Sequence, residues 1–339
     1  MKASLRSTAL LSSLALSLAA ACGKGGRDVA VVYTSVDLVY ADSILREFER
    51  RTGIDVQIVP DTEASKTTGL YNRLIAERDN PQVDVFWSSE MSRTVSLKGK
   101  GVLAAYDSPS SNDIPRSFKD PEGFWTGFSA RARVIVYNTK TVSPAQAPKS
   151  LQDLADPRWK GEIGLANPLF GTTATHAAAL MRFWGWEEGT RFFAKLKANG
   201  VKIFPGNATV RDMVANGIIR AGLTDTDDVW AGIEQGKPVA MVYPDQDGIG
   251  TLVIPNTVAL IHGAPHPEQA KRLIDYLLSR EVEEALAKGR PRQIPLRPGV
   301  PVPEGVLRYD QIKALQVDLA QVPGDMERTD KFLKQLLLD

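Results

Sequence analysis

Apolar and polar positions along this chain change between a strand-like and a helix-like spacing, and the changes mark its elements. Residues 29–33 form a β-branched run suited to a buried strand. Leu38, Ile44, Leu45 and Phe48 then recur on one side of a helix running to about Arg51, which Gly53 stops. Residues 55–59 predict the next strand, 67–79 a second helix ending before Asn80-Pro81, and 83–86 a third strand. The same rhythm resumes after Arg133, with strands at 134–137, 201–203, 219–223 and 239–243. Helices are expected at 173–183, at 208–215 and from Asp227. The tail from Pro267 reads as mostly helical, broken by the proline-rich stretch from Pro291 to Pro303. Strands alternating with helices of this length imply right-handed βαβ units around parallel sheets. Two such systems fit 339 residues, at about 150 per domain. Ligands prefer the junction of two domains and the carboxyl ends of the strands. The informative segments are therefore those just past the strands: 34–37, 87–90, 224–228 and 243–248, all rich in hydroxyls or carboxylates.

Composition narrows the chemistry. Hydrophobic residues make up 43% and charged residues 24%, as in a globular chain. Lys plus Arg (41) nearly cancels Asp plus Glu (40), which excludes a broad nucleic-acid surface. One cysteine excludes an intrachain disulfide framework and a Cys-based zinc site, and three histidines leave little for a His-rich metal centre. There is no Gly-x-Ser-x-Gly elbow, no phosphate loop ending in Lys-Ser/Thr and no Gly-x-Gly-x-x-Gly. His176 lies in an alanine-rich helical stretch, where a packed structural histidine is expected. The chain is therefore not expected to be an enzyme or to carry a cofactor.

Residues 1–21 read as a targeting segment. Lys2 and Arg6 give the positive start, and the apolar stretch that follows falls short of the roughly 20 residues of a membrane span. The ending Ala-Ala-Ala-Cys22-Gly resembles a bacterial lipoprotein signal, in which Cys22 would be lipidated; an ordinary secretory signal cleaved after Ala21 is the alternative. Loss of Lys2 and Arg6 takes the net charge from +1 to −1. Residues 22–28 would then be the lipidated N-terminus and a flexible tether. The expected location is the outer side of the cytoplasmic membrane, with the lipid as the only membrane contact.

Several segments together resemble the solute-binding proteins of ABC importers. They are Val-Val-Tyr33-Thr-Ser, Thr52-Gly-Ile-Asp-Val56, Val83-Asp-Val-Phe-Trp87, Arg131-Ala-Arg-Val-Ile-Val-Tyr-Asn138, Asp156-Pro-Arg-Trp-Lys-Gly161 and Ala264-Pro-His-Pro-Glu-Gln-Ala-Lys271. Within that family the chain is most similar to the ferric-iron-binding cluster, which also holds thiamine, phosphonate and sugar-phosphate binders. The resemblance implies a type II periplasmic-binding-protein fold, with two α/β lobes that have mixed or parallel sheets flanked by helices and a two-strand hinge. The lobes would comprise 29–130 plus 253–300 and 131–252 plus 301–339, crossing near 130–134 and 251–258. The implied partners are an ABC permease and its ATPase, and the protein would be a monomer.

The resemblance also implies site residues. Relatives hold an anion at the helix start that here reads Gly171, Thr172, Thr173, where unpaired N–H groups and the helix dipole favour negative charge; simple helix capping is the alternative. Arg131 matches an arginine aimed at that anion, or makes an interlobe salt bridge; Asn207 matches an asparagine near it, or caps a helix. Ser35, Ser89 and Thr226 complete the expected ligand contacts. The adjacent tyrosines of the iron binders are replaced here by Thr226-Asp227, their early histidine by Asp37, and their glutamate aligns with Ser89, one residue before Glu90. A hard cation would instead meet Asp37, Glu90, Asp225, Asp227 and Asp228. Fe(III) with a synergistic anion is the family default for the cargo. The alternatives are an organic phosphate, phosphonate or zwitterion, or a sensory protein presenting its ligand to a membrane receptor.

Overall fold

A computed structural model describes residues 28–61 and 67–339. The expected signal segment and Cys22 lie outside the described residues. The first sheet is built from β1 (Val29–Thr34), β2 (Asp55–Pro60), β3 (Val85–Ser88), β4 (Leu103–Ala104) and β10 (Val253–Ile261). β1 pairs in parallel with both β2 and β3, and β10 lies antiparallel to β3. Helices α1 (Leu38–Thr52), α2 (Thr68–Ala76), α3 (Ser92–Gly99), α8 (Pro267–Leu277) and α9 (Arg280–Lys288) accompany it. α1 presents Ala41, Ile44, Leu45 and Phe48 to the core and ends on Gly53 in the left-handed region.

The second sheet holds β6 (Ile163–Ala166), β7 (Lys202–Phe204), β8 (Ala221–Asp225) and β9 (Val239–Val242). β6 runs parallel to β7 and β8. α4 (Gly171–Trp184), α5 (Trp186–Ala198), α6 (Asn207–Ala215), α7 (Thr226–Glu234) and α10 (Pro323–Leu333) belong with it. α6 lies directly on β8 because Gly222 carries no side chain: a Cβ there would stand 2.5 Å from Val210 Cγ1 and 2.9 Å from the Gly164 carbonyl oxygen.

β5 (Thr126–Asn138) joins the two sheets, and all 13 of its residues are buried. Its first half pairs with β10 and its second half with β8 and β9. The β5–β10 ladder is interrupted at Ser129, whose φ is +41°, opposite a register shift between Pro255 and Asn256 of β10, and the partner changes between Ala132 and Arg133. Asn256 closes this corner by donating from Nδ2 to the Ser129 carbonyl at 2.9 Å.

The tail departs from the expected boundary at 301. Val306 and Ile312 are buried, and Tyr309 packs edge-on against Phe118 of the first lobe at 5.2 Å. The proline-rich stretch also touches α7 of the second lobe, with Arg292 over the Trp230 ring at 4.6 Å. The chain passes into the second lobe near Lys313, whose N–H donates to Gln246 Oε1, and at the parallel bridge between Ala314 and Thr251. α10 then lies along α4 and also touches α3. The proline-rich segment thus packs mainly on the first lobe, through the bridge of Ile294 to Ala130, while Arg292 reaches Glu234 of α7, and the chain crosses between lobes three times. Among the described residues no helix is long and apolar enough to cross a membrane.

Candidate functional site

The strand ends of the two sheets face each other across a narrow cleft that opens to solvent. Asp37 and Ser89 border it from the first lobe, Arg131 from the floor, and the segments after β6, β7 and β8 from the second lobe. Gly171 has a φ of +54°, which suits a residue without Cβ and lets the chain turn sharply from Phe170 into α4. The first-turn N–H groups of α4 therefore open onto the cleft beside Thr172 and Thr173.

Arg133, which the sequence reading passed over, organises the second-lobe wall. It is fully buried, and its Nη1 donates to Asp225 Oδ1 at 2.7 Å, to Thr172 Oγ1 at 3.1 Å and to Asn207 Oδ1 at 3.1 Å. Nη2 reaches Thr173 Oγ1 at 3.3 Å, and Nε reaches His176 Nδ1 at 3.4 Å. Asp225 Oδ2 in turn accepts from Thr172 Oγ1 at 2.6 Å and Asn207 Nδ2 at 3.0 Å. The side chains expected to grip a foreign anion thus already hold an internal carboxylate, leaving the backbone N–H groups of α4 as the cleft's anion donors. Burial, with Arg133 adding to it, holds His176 well below the usual imidazole range, so the ring is neutral and accepts from the guanidinium.

Arg131 bridges the lobes. Its Nη1 donates to the Ser89 carbonyl at 2.8 Å and Nη2 to Asn256 Oδ1 at 3.0 Å, while Nε stands 3.2 Å from Asp227 Oδ2. Burial works against its charge, but Asp227, Asp225, Asp37 and Asp228 outweigh burial and raise its pKa. Tyr40 of α1 joins the same group: burial raises its pKa first, then the charges of Asp227, Asp228 and Asp37. Asp225, Asp227 and Asp228 each bring a carboxylate oxygen within 4.8 Å of the others.

Of the expected residues, Asp37, Ser89, Arg131, Gly171, Thr172, Thr173, Asn207, Asp225, Asp227 and Asp228 border the cleft. Three do not. Ser35 is buried and positions Ser89, accepting its N–H at 2.9 Å. Thr226 is buried too, and its Oγ1 accepts from the Ala132 N–H at 3.2 Å. Glu90 faces inward: its carboxylate accepts from the N–H groups of Ser92 (2.5 Å) and Arg93 (3.1 Å) and from Thr175 Oγ1 (2.8 Å). Its place as a cation ligand is corrected to a hydrogen bond between the lobes. The sequence did carry a signal for Arg133, since strand alternation puts Arg131 and Arg133 on one face of β5. Tyr40, and Asn167 in the cleft wall just past β6, left no comparable mark.

The profile of the bacterial extracellular solute-binding proteins matches residues 80–316. The chain belongs to this family. Members are binding components of ABC importers that hand small ligands or metals to a permease, and they are not enzymes. The chain is 26% identical to "Iron uptake protein A1" of a Synechocystis species, covering 90% of this chain and 86% of that protein. It is 27% identical to a putative 2-aminoethylphosphonate-binding periplasmic protein of Salmonella typhimurium, over 78% of this chain and 74% of that one. Iron-bound HitA from Pseudomonas aeruginosa has the same fold, with a TM-score of 0.82 and 24% identity over 91% of this chain and 99% of that one. The two-lobe α/β architecture is therefore that of the periplasmic binding proteins.

Proposed function

We propose that this solute-binding protein captures a small organic ligand carrying both an anionic and a cationic group, in the aminophosphonate or phosphate-ester class. The lobes close on it about β5 and β10, and the closed form delivers it to the permease. One observation supports the ligand class: the cleft is lined both by the N-terminus of α4 and by the carboxylates of Asp37 and Asp228. An anionic group suits the first-turn N–H groups, and an ammonium or a hydroxyl cluster suits the carboxylates. Bare Fe(III) is served less well, because Asp225 and Asp227 are already paired with buried arginines and no tyrosine pair stands after β8. Iron stays as the second reading because three carboxylates converge within 4.8 Å and the relatives' printed names include iron uptake.

Calorimetry on refolded, ligand-free protein separates the two. The probes are 2-aminoethylphosphonate, a hexose phosphate, and Fe(III) with citrate or phosphate. The proposal expects heat from an organic probe, lost in Asp228→Asn; Fe(III) binding without organic binding sinks it. Anchoring through Cys22 is part of the same reading and rests on the signal sequence; mass spectrometry of the membrane-extracted protein should find the lipid on Cys22. A permease gene beside this one would favour import over sensing.

A further inference from the structure

Away from the ligand cleft, the lobes meet at a second seam, where α3 of the first lobe faces α4 and α10 of the second. Its polar groups are unevenly matched. Arg93 of α3 lies over the Tyr71 ring at 5.1 Å and sends Nη2 to Asp330 Oδ2 of α10 at a long 3.5 Å. Asp330 Oδ1 is buried with no hydrogen-bond partner. The same guanidinium is the positive charge acting on Glu90, the buried carboxylate that accepts from Thr175 of α4. One arginine therefore serves two carboxylates, one from each lobe: Glu90, fully buried, and Asp330, about three-quarters buried with its Oδ1 enclosed. A carboxylate taken out of water with one oxygen unsatisfied costs more than a single long ion pair returns.

We propose that Asp330 is a brake on lobe closure: burying its carboxylate in this seam sets how readily the closed form opens. The inference rests on the hinge closure proposed above and not on the identity of the ligand. Its direction follows from linkage. Burial pushes Asp330 up from 3.8 to about 6, with Arg93 pulling the other way. A carboxyl whose pKa is higher in the closed form favours closure when protonated, so closure strengthens as pH falls through about 6 towards 3.8. Taking 3.8 for the open form, the closed-to-open ratio rises about tenfold between pH 7.5 and 5. Glu90 shares Arg93 with Asp330, and burial raises its pKa too; its carboxylate keeps hydrogen bonds from Thr175 and the N–H groups of Ser92 and Arg93, which oppose that rise. Arg93 of α3 faces Asp330; Lys98 of α3 is paired with Asp120; Arg182 of α4 is paired with Asp325; and His176 of α4 is buried and neutral. Glu327, Arg328 and Lys331 share α10 with Asp330, and Arg328 lies over the Trp186 ring.

The test measures lobe separation in the whole chain, with Cys22→Ser and spin labels at Ser43→Cys on the first lobe and Ile218→Cys on the second, both exposed positions. Distance distributions are recorded at pH 7.5 and pH 5. Wild type should gain short distances about tenfold at the lower pH. Asp330→Asn should raise them already at pH 7.5 and lose the pH response, and Arg93→Ala should lower them unless Asp330→Asn is also present. Asp330→Ser, with a melting curve matching wild type, must move the ratio in the same direction as Asp330→Asn. A wild type that responds while Asp330→Asn behaves identically to it overturns the brake. A single unchanging distance in wild type, with and without 2-aminoethylphosphonate or ferric citrate, overturns hinge closure itself and the brake with it.

Discussion

Arg133→Met leaves a well-packed apolar side chain in place of a buried charge and strands Asp225, which keeps Thr172 and Asn207 but loses the guanidinium at 2.7 Å. Removing one partner of a buried ion pair costs about 3–5 kcal/mol. At a urea dependence of about 2 kcal/mol/M for a unit the size of one lobe, the unfolding midpoint should fall by roughly 2 M. Asp225→Asn should be costly for the mirror-image reason, since it leaves the charge of Arg133 buried. The double variant removes both charges, so its cost should undercut the sum of the single costs by about 2 kcal/mol. Tryptophan fluorescence in urea suits the measurement, because Trp159, Trp184 and Trp186 all belong to the second lobe. A cost below about 1 kcal/mol for Arg133→Met, or strict additivity in the double variant, would refute the claim that this pair holds the second-lobe wall.

Other outcomes follow from the same contacts. His176 is neutral in the fold, so below its ordinary pKa of 6.5 the unfolded chain binds the extra proton and stability falls with pH, by up to about 1.4 kcal/mol per unit. His176→Gln keeps an acceptor for Arg133 and should flatten that loss in urea melts between pH 7 and 5; an unchanged slope would contradict the assignment. Gly222→Ala forces α6 off β8, with an expected cost of about 1–3 kcal/mol and weaker ligand binding because Asn207 moves away from Asp225. A variant that melts and binds like wild type would show that this close approach is not needed.

Much of the fold was legible where burial imposes a simple period. β1, β2, β8 and β9 and the helices α1, α4 and α6 lie close to the expected positions, because each shows one apolar face or one apolar run. β10 carried no periodic signal of its own and was expected only as a crossing near 251–258 from the family resemblance; Pro255 and Asn256 stand at a register shift within its pairing to β5. α5 was hidden behind Gly185, and β6 is only 4 residues long. Among site residues, strand ends identified the carboxylates and hydroxyls, but not their direction. Glu90 and Thr226 carry suitable groups yet point into the protein, since one turn of backbone decides whether a group just past a strand faces solvent or core. Arg133 was missed because a charge within an apolar run looks like an interruption, whereas here it neutralises Asp225.

The threefold crossing of the chain bears on how the protein is made. β3 waits for β10, whose Thr257 pairs with Ser88, and the first half of β5 waits for the same strand. The second sheet, with all its strands within 126–242, can pair early, whereas the first must wait for β10. Such long-range pairing makes for slow folding. A chain stopped before α10 would leave α4, which carries the cleft's anion donors, without its outer cover. Until β10 emerges, a nascent molecule would carry an open edge on β3, the kind of exposed strand that invites pairing with another chain.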